Sequence, residues 1–276
     1  MTKANPASAF EAWFATGGRA GRLFELSHVM SASMPVYHQH VPYSLALHRR
    51  HRDPHPRPRA DGSSFANEII VTSGHSGTHI DALGHFSLRG CFHGGLRIQD
   101  VETRDGLNQL DAAEIPPIVR PAILLDVAGT RGVDVLAPAE AVTAADLEAA
   151  LARSGARIAP GDAVFVRTGW TQHWDDPDMF IGRKGGGLPG PDEVATRWLL
   201  DKGASLLGSD TPGFECLPNP GRSVHAMLLV DHGVHIIENL NLEDLAAEKV
   251  ARALFVALPL RLAGSTGSPI RPIALA

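Results

Sequence analysis

Residues 74–86, which read GHSGTHIDALGHF, constrain this chain more than any other stretch. They hold three histidines at relative positions i, i+4 and i+10, an aspartate at i+6, and three glycines. Imidazole and carboxylate groups are common ligands of divalent metals such as zinc and manganese. Because glycine adopts backbone conformations that other residues avoid, side chains on this segment can converge on one point. The segment therefore predicts a metal-binding loop or short turn.

The predicted metal ligands within this loop are His75, His79 and Asp81. Two histidines and one carboxylate form a common arrangement that leaves coordination positions open for water and substrate. His85 is either a further ligand or a nearby acid or base. The alternative of ordinary loop histidines is less favoured, because buried polar side chains all need partners and one metal supplies them together.

Length, composition and charge exclude several classes of protein. A chain of 276 residues, 44% hydrophobic and 20% charged, can bury a core without a disulfide or a structural metal. The net charge of -5, without a long basic run, argues against nucleic acid as a partner. No apolar run is long enough for a transmembrane helix, so no membrane partner is expected. With only Cys91 and Cys216 and no signal-peptide pattern, the expected location is cytoplasmic.

Short strands alternate with helices along the chain, which predicts one α/β domain spanning residues 1–276. Strands are expected at residues 24–29, 67–73, 122–127, 163–169, 204–208, 233–238 and 253–260. Helices are expected at residues 7–14, 143–153, 191–202 and 222–230, with another beginning at 241. Thr143 is the expected N-cap of its helix, and Val194, Trp198 and Leu199 are expected to face the core.

Residues 42–62 are rich in proline, arginine and histidine and are predicted to form a long loop or flap within this domain. A second loop is expected at residues 170–189. Histidines in and near the first loop are expected to face solvent or belong to the flap rather than to bind metal. These are His38, His40, His48, His51 and His55.

A second group of candidate ligands lies between residues 225 and 238. Glu238 ends an apolar strand, where burial of a carboxylate is costly unless it is paired or binds a metal. By residue frequency alone, a surface position is favoured for this glutamate. His225, His232 and His235 all lie nearby, and periodicity does not choose among them.

Four aromatic residues and one more carboxylate are candidates for contact with a substrate. Phe86, Trp170, Trp174 and Phe180 are expected to supply an apolar wall for a flat or aromatic molecule. Asp210 lies in a polar loop after a predicted strand, where α/β proteins often place ligands. It is interpreted either as a contact in the site, bonding a ligating histidine, or as a turn residue.

The motif at residues 75–86 resembles the signature H-x-G-T-H-x-D-x-P-x-H-F of the cyclase family. That family includes bacterial kynurenine formamidase, isatin hydrolase and a metal-dependent trans-dienelactone hydrolase. The resemblance extends to GSDTP at 208–212, ENL at 238–240 and GSTGSPIRP at 264–272. The signature's proline is absent here, since Asp81 is followed by Ala-Leu-Gly.

The resemblance implies a swivelling β/β/α fold with a mixed sheet or barrel-like core and peripheral helices. It also implies a catalytic Zn²⁺ or Mn²⁺, as one or two ions, and a homodimer or homotetramer. His85 is implied to donate and accept protons. The metal ligands implied by match to the family motifs are His75, His79, Asp81, His225 and Glu238.

The expected function is hydrolysis of an amide, lactam or lactone bond in a small, cyclic or aromatic substrate. In the expected mechanism, metal-activated water attacks the carbonyl carbon, and His85 or Glu238 accepts the water proton. His85 then passes a proton to the leaving group. Two alternatives are a metal-dependent cyclase or lyase and a non-catalytic protein that binds a metal or a small acid. The presence of both His85 and Glu238 disfavours the non-catalytic alternative.

Overall fold

A nine-stranded sheet organises the residues that the computed structural model describes, which are 21–54, 59–219 and 221–276. The helix expected at residues 7–14 lies outside them. The strands are β1 (Leu23–Glu25), β2 (Ser44–Arg49), β3 (Asn67–Val71), β4 (His79–Asp81), β5 (Glu102–Thr103), β6 (Gly106–Leu107), β7 (Ile118–Asp126), β8 (Ala141–Val142), β9 (Ala163–Arg167), β10 (Gly190–Pro191), β11 (Leu206–Ser209), β12 (Ile236–Glu238), β13 (Arg252–Ala257), β14 (Gly267–Pro269) and β15 (Ile273–Leu275). The large sheet has the order β1-β15-β13-β7-β9-β11-β12-β4-β14.

Helices are short and lie between the strands. They are α1 (Ile98–Val101), α2 (Val127–Arg131), α3 (Ala144–Ser154), α4 (Pro177–Phe180), α5 (Glu193–Asp201), a π-helix (Ala226–His232) and α6 (Glu243–Ala247). Short 3₁₀ turns occupy Leu83–His85, His93–Gly95, Ala112–Glu114 and Trp170–His173. In the described part of the chain, no helix combines the length and apolar character needed to cross a membrane.

The large sheet is mixed. Its central strands β7, β9, β11 and β12 are parallel, whereas β13, β15 and β1 on one side are antiparallel, as are β4 and β14 on the other. Parallel strands that are covered on both faces are expected to be almost continuously apolar, as β9 is. This sheet with helices around it confirms the predicted α/β class.

Two apolar cores lie on opposite faces of the sheet, because side chains alternate along each strand. Val164 and Val166 of β9 join the core that also contains residues of α3, α5 and the π-helix. Ala163 and Phe165 of the same strand join the core that contains residues of α6, β13 and β15. The helices therefore cover both sides of β9.

Helix α3 begins as the sequence predicts, but α5 differs in one detail. Thr143 caps α3, and its side chain and that of Asp146 bond each other's backbone N–H groups. In α5, Leu199 is buried, whereas Val194 is 67% exposed, so the expectation that Val194 faces the core is wrong. The two residues are five positions apart, which on an α-helix separates them by about 140°.

The loop predicted at residues 42–62 contains a strand, so that prediction is wrong for β2. Strand β2 pairs antiparallel with β3, with Leu45 opposite Ile70 and Ala46 opposite Ile69. All residues of this ribbon are exposed except Arg49, which is half-buried. The segment lacks a buried face, and its pairing with β3 is what makes it a strand.

His28 couples the stability of the fold to pH. Its ring stacks on Trp174, with centroids 3.8 Å apart and planes 9° apart. Burial lowers the pKa of His28 to about 4, although the charge of Asp175 opposes this. An unfolded histidine titrates near pH 6.5, so the unfolded chain binds more protons between pH 4 and 6.5. The free energy of unfolding should therefore decrease as the pH is lowered through this window, by up to about 3 kcal/mol from this residue.

Replacing His28 with phenylalanine is expected to flatten this acid dependence, because phenylalanine keeps the stacked ring but binds no proton. Chemical denaturation between pH 4 and 7 measures the effect as the difference in unfolding free energy. His48 is exposed, so His48→Gln is a control that should leave the wild-type slope intact. Equal slopes for wild type and His28→Phe would contradict the assignment.

Candidate metal centre and active site

Strand pairing assembles the centre of the site. His79 and Asp81 are two residues apart on β4, so their side chains point to the same face. Strand β12 pairs with β4 and places Glu238 directly opposite His79. His79 Nε2 lies 3.4 Å from Glu238 Oε2 and 3.6 Å from Asp81 Oδ1. Glu238 is buried, although residue frequency favours the surface for a glutamate.

His75 reaches the same point from the loop that precedes β4. Its Nδ1 lies 2.8 Å from Asp81 Oδ1, and its Nε2 lies 2.9 Å from the hydroxyl of Thr266. The ring packs on Gly267, where an added Cβ would stand 2.6 Å from a ring carbon. The C-terminal segment at residues 264–272 thus forms a wall of the site, and only glycine fits against the histidine.

His225 is the histidine of the second group that joins the centre. It directly precedes the π-helix, and its Nε2 lies 3.0 Å from Glu238 Oε1 and 3.7 Å from Asp81 Oδ2. His235 instead pairs through Nδ1 with the backbone oxygen of Asp81 at 2.7 Å, and His232 is exposed. The structure therefore identifies His225 as the histidine that joins the centre, which periodicity could not do.

His85 and Phe86 lie beside the ligands rather than on a strand. The His85 ring is 4.0 Å from the His75 ring and 6.2 Å from the His225 ring. Phe86 stands 5.6 Å from His85 and 5.3 Å from His225. Burial lowers the pKa of His85 to about 4, with the charge of Asp81 opposing it. A neutral imidazole at this position can accept a proton.

The carboxylates of the centre are held ionised by the histidines around them. Burial alone raises the pKa of Asp81, but His85 and His75 outweigh it and bring the pKa well below the usual range. Burial and the charge of Asp81 also raise the pKa of Glu238, but hydrogen bonds from His225 and His79 lower it overall. The centre therefore presents two buried carboxylates to any bound cation.

The residues present fit a divalent cation. His75, His79 and Asp81 are buried, and their ligand atoms all lie within 4.8 Å of one another. Asp81, His85 and His225 form a second such group. Asp81 Oδ2 is buried without a hydrogen-bond partner, a costly state that a cation would relieve. Imidazole and carboxylate donors suit a borderline divalent metal.

The glycines of the loop act in two different ways. Gly77 has a φ of 63°, as expected for a residue that frees the backbone. Gly74 and Gly84 do not have positive φ and are needed for close approach instead. A Cβ added at Gly74 would lie 2.6 Å from the backbone oxygen of Gly267. A Cβ added at Gly84 would lie 2.9 Å from the backbone oxygen of Leu110.

The predicted aromatic wall is only partly found at the centre. Phe86 is there, whereas Trp170 and Phe180 are fully buried in a separate apolar cluster, against which Trp174 packs. The Trp170 indole N–H donates to the Phe180 carbonyl at 2.7 Å. The expected substrate contact of Trp170 is therefore not supported, because its side chain is enclosed by its own cluster.

The carboxylate of Asp210 bonds Thr168 and Gly169 rather than a candidate ligating histidine. It is fully buried and accepts hydrogen bonds from the backbone and hydroxyl of Thr168 and from the Gly169 backbone. Burial raises its pKa to about 6, against the effect of the bonds from Thr168. Strands β9 and β11 are parallel neighbours, so the loops after them meet, and Asp210 holds the turn after β9. The interpretation as a partner of a ligating histidine is therefore wrong.

Three residues near the centre were missed by reasoning from the sequence. Glu215 bonds His225 Nδ1 at 3.0 Å, and Thr266 bonds His75. His40 stacks on His75, with ring centroids 5.2 Å apart, and is half-buried, so of its two predicted positions, facing solvent or within the flap, the first is wrong. Only Thr266 lies in a segment with a recognisable motif.

Two known proteins resemble this chain over most of its length. The chain is 29% identical over 223 residues to isatin hydrolase of Roseibium aggregatum, which covers 78% of this chain and 77% of that protein. It is 26% identical over 205 residues to kynurenine formamidase of Bacillus mycoides, covering 74% and 77%. These relatives are hydrolases by name.

A solved structure and a family model both relate this chain to cyclases. The crystal structure of a novel cyclase superposes with a TM-score of 0.85 at 24% identity, covering all of this chain and 92% of that one, and shows the same fold. A family model described as "Putative cyclase" matches residues 24–216, well over half of the chain. Because this match spans well over half of the chain, the chain belongs to the cyclase family.

Proposed function

We propose that the protein is a metal-dependent hydrolase of an amide, lactam or lactone bond in a small, cyclic or aromatic substrate. The observation that carries the proposal is the convergence of His75, His79 and His225 on the buried carboxylates of Asp81 and Glu238. Oδ2 of Asp81 has no hydrogen-bond partner there. The names of two relatives, isatin hydrolase and kynurenine formamidase, support this reaction class. The donor set favours Zn²⁺ or Mn²⁺.

A divalent cation held here would lower the pKa of water and polarise a substrate carbonyl. The protein's own groups would supply the rest. His85, kept neutral by burial, can take a proton and return it to a leaving nitrogen or oxygen. Glu238, tied to His79 and His225, is held in place as a carboxylate. Phe86 offers an apolar edge beside both His85 and His225 for a flat substrate.

A cyclase or lyase reaction is the second candidate, favoured by the description of the matching family. The two reactions differ in mass balance, because hydrolysis adds water to the substrate and cyclisation or elimination does not. The zinc- or manganese-loaded protein should be incubated with aryl formamides, cyclic amides and lactones, and the products weighed by mass spectrometry. We expect at least one product heavier by one water. Turnover without that gain would favour the second candidate, and no turnover would contradict both.

We also propose that the protein forms a homodimer or homotetramer through the β2–β3 ribbon. Its apolar side chains are about half exposed, and they are Leu45, Leu47, Ile69, Ile70 and Val71. Because side chains alternate along a strand, apolar groups lie on both faces of the ribbon. A ribbon of two strands is marginally stable alone in water, and an exposed apolar patch of this kind marks an interaction surface.

The double variant Leu45→Glu with Ile70→Glu is expected to dissociate this assembly, since the two residues are cross-strand partners on one face. Light scattering coupled to size exclusion should show an oligomer for wild type and a monomer for the variant. Val194→Glu is the matched control, because Val194 is an exposed apolar residue on α5. A monomeric wild type, or a double variant that stays assembled, would contradict the proposal.

A further inference from the structure

Glu215 is a buried carboxylate that contacts His225 at the ring nitrogen facing away from the metal centre. It is only 5% exposed. In the part of the chain that the structure describes, its one ion-pair partner is His225, with Nδ1 3.0 Å from Oε1. Its other hydrogen bonds come from uncharged groups, namely the Val224 backbone N–H, the Asn219 amide and the Ser223 hydroxyl. Burial of a carboxylate is costly, so the pairing with His225 needs a reason.

The pairing fixes which nitrogen of His225 faces the ligands. An ionised carboxylate only accepts hydrogen bonds, so Nδ1 carries the hydrogen and donates it to Glu215. Nε2 is then directed at Glu238 Oε1, 3.0 Å away, and at Asp81 Oδ2, 3.7 Å away. With a cation in the centre, Nε2 is the nitrogen left to bind it.

The other two histidines are backed only by neutral groups. His75 Nε2 bonds the Thr266 hydroxyl, and His79 Nδ1 bonds the Gly77 backbone oxygen at 2.9 Å. A carboxylate behind a ligating histidine fixes the ring and strengthens the ligand, more than a neutral acceptor does. Among the three histidines, only His225 has that support.

The two central carboxylates also divide between two sides. Asp81 turns Oδ1 toward His75 and His79 and Oδ2 toward His225. Glu238 turns Oε2 toward His79 and Oε1 toward His225. The centre therefore has a His75–His79 side and a His225 side, which share both carboxylates but not their histidines.

We infer that Glu215 is a positioning residue that sets the cation affinity of the His225 side and leaves that of the His75–His79 side to Thr266 and Gly77. This inference rests on the metal-dependent function proposed above. Glu215 acts through its hydrogen bond to His225, because its own carboxylate does not face the cation position. Loss of such a partner typically weakens metal binding about 10- to 100-fold.

Metal-free protein titrated with Zn²⁺ against a chromophoric chelator tests the inference without any assay of activity. Wild type should show two binding events. Glu215→Gln, which removes the charge at nearly constant size, should weaken one event about 10- to 100-fold and leave the other unchanged. Thr266→Val should weaken the opposite event. Glu215→Asp, which shortens the side chain beyond reach of His225, should reproduce the selective loss if the glutamine variant does not fold.

Asn219→Ala is the matched control, because Asn219 bonds the other oxygen of Glu215 and does not touch His225. It should leave both binding events as in wild type. A single event in wild type, equal weakening of both events by Glu215→Gln, or no weakening would overturn the inference. If wild type binds neither Zn²⁺ nor Mn²⁺, the proposed function itself fails, so the two failures are distinguishable.

Discussion

Replacing His79 with alanine is expected to remove bound metal and hydrolase activity together. His79 is buried between Asp81 and Glu238, so its loss deletes a ligand and leaves two carboxylates facing each other without the imidazole between them. The metal affinity should fall by more than the roughly 100-fold that follows loss of a ligand's outer hydrogen-bond partner. Elemental analysis of the purified variant and its hydrolysis rate measure both effects.

Chelation of the wild-type protein tests the same dependence without a substitution. Activity should disappear on dialysis against a chelator and return on addition of Mn²⁺ or Zn²⁺. His232→Ala is the control for the variant, because His232 is exposed and outside the centre. Full activity of His79→Ala, or of the chelated protein, would show that hydrolysis does not need this centre.

Replacing His85 with alanine should separate metal binding from catalysis. His85 lies 4.0 Å from the His75 ring and is held neutral by burial, which suits a group that takes and returns a proton. Loss of a general acid or base costs about 100- to 10,000-fold in rate. We therefore expect kcat to fall by that amount while the bound metal per chain stays at the wild-type value.

The metal content of His85→Ala decides between the two roles predicted for this residue. His85 also belongs to a group with Asp81 and His225 that could hold a cation. If metal content falls with the rate, His85 is a ligand and the acid or base must be sought elsewhere. Phe86→Leu is a suitable control, since Phe86 contacts the same rings but has no proton to transfer.

The local part of the centre could be predicted because its residues are close in sequence. His75, His79 and Asp81 lie within seven residues of a glycine-rich segment, although His79 and Asp81 lie on strand β4 and not in the predicted loop or turn. The alternation of strands and helices likewise predicts the α/β class, and Thr143 predicts the start of α3. These signals come from residues that are close together in the chain, so a single sequence contains them.

The prediction was wrong where contact with a distant segment decides the outcome. Strand β2 forms through pairing with β3, which the proline, arginine and histidine content of residues 42–62 does not reveal. Asp210 is of a residue type common in functional sites, but its carboxylate accepts hydrogen bonds from Thr168 and Gly169. Trp170 has the residue type of a pocket wall but is enclosed in its own cluster.

The sequence by itself determined the α/β class, the family resemblance and the candidate ligands within residues 74–86. Only the tertiary structure decided that His225, and not His232 or His235, faces this segment. It also decided that Glu215 contacts the far side of the His225 ring. The physical reason is that strand pairing and packing determine which groups a buried carboxylate or imidazole contacts. The antiparallel register of β4 and β12 is a long-range property that puts Glu238 opposite His79.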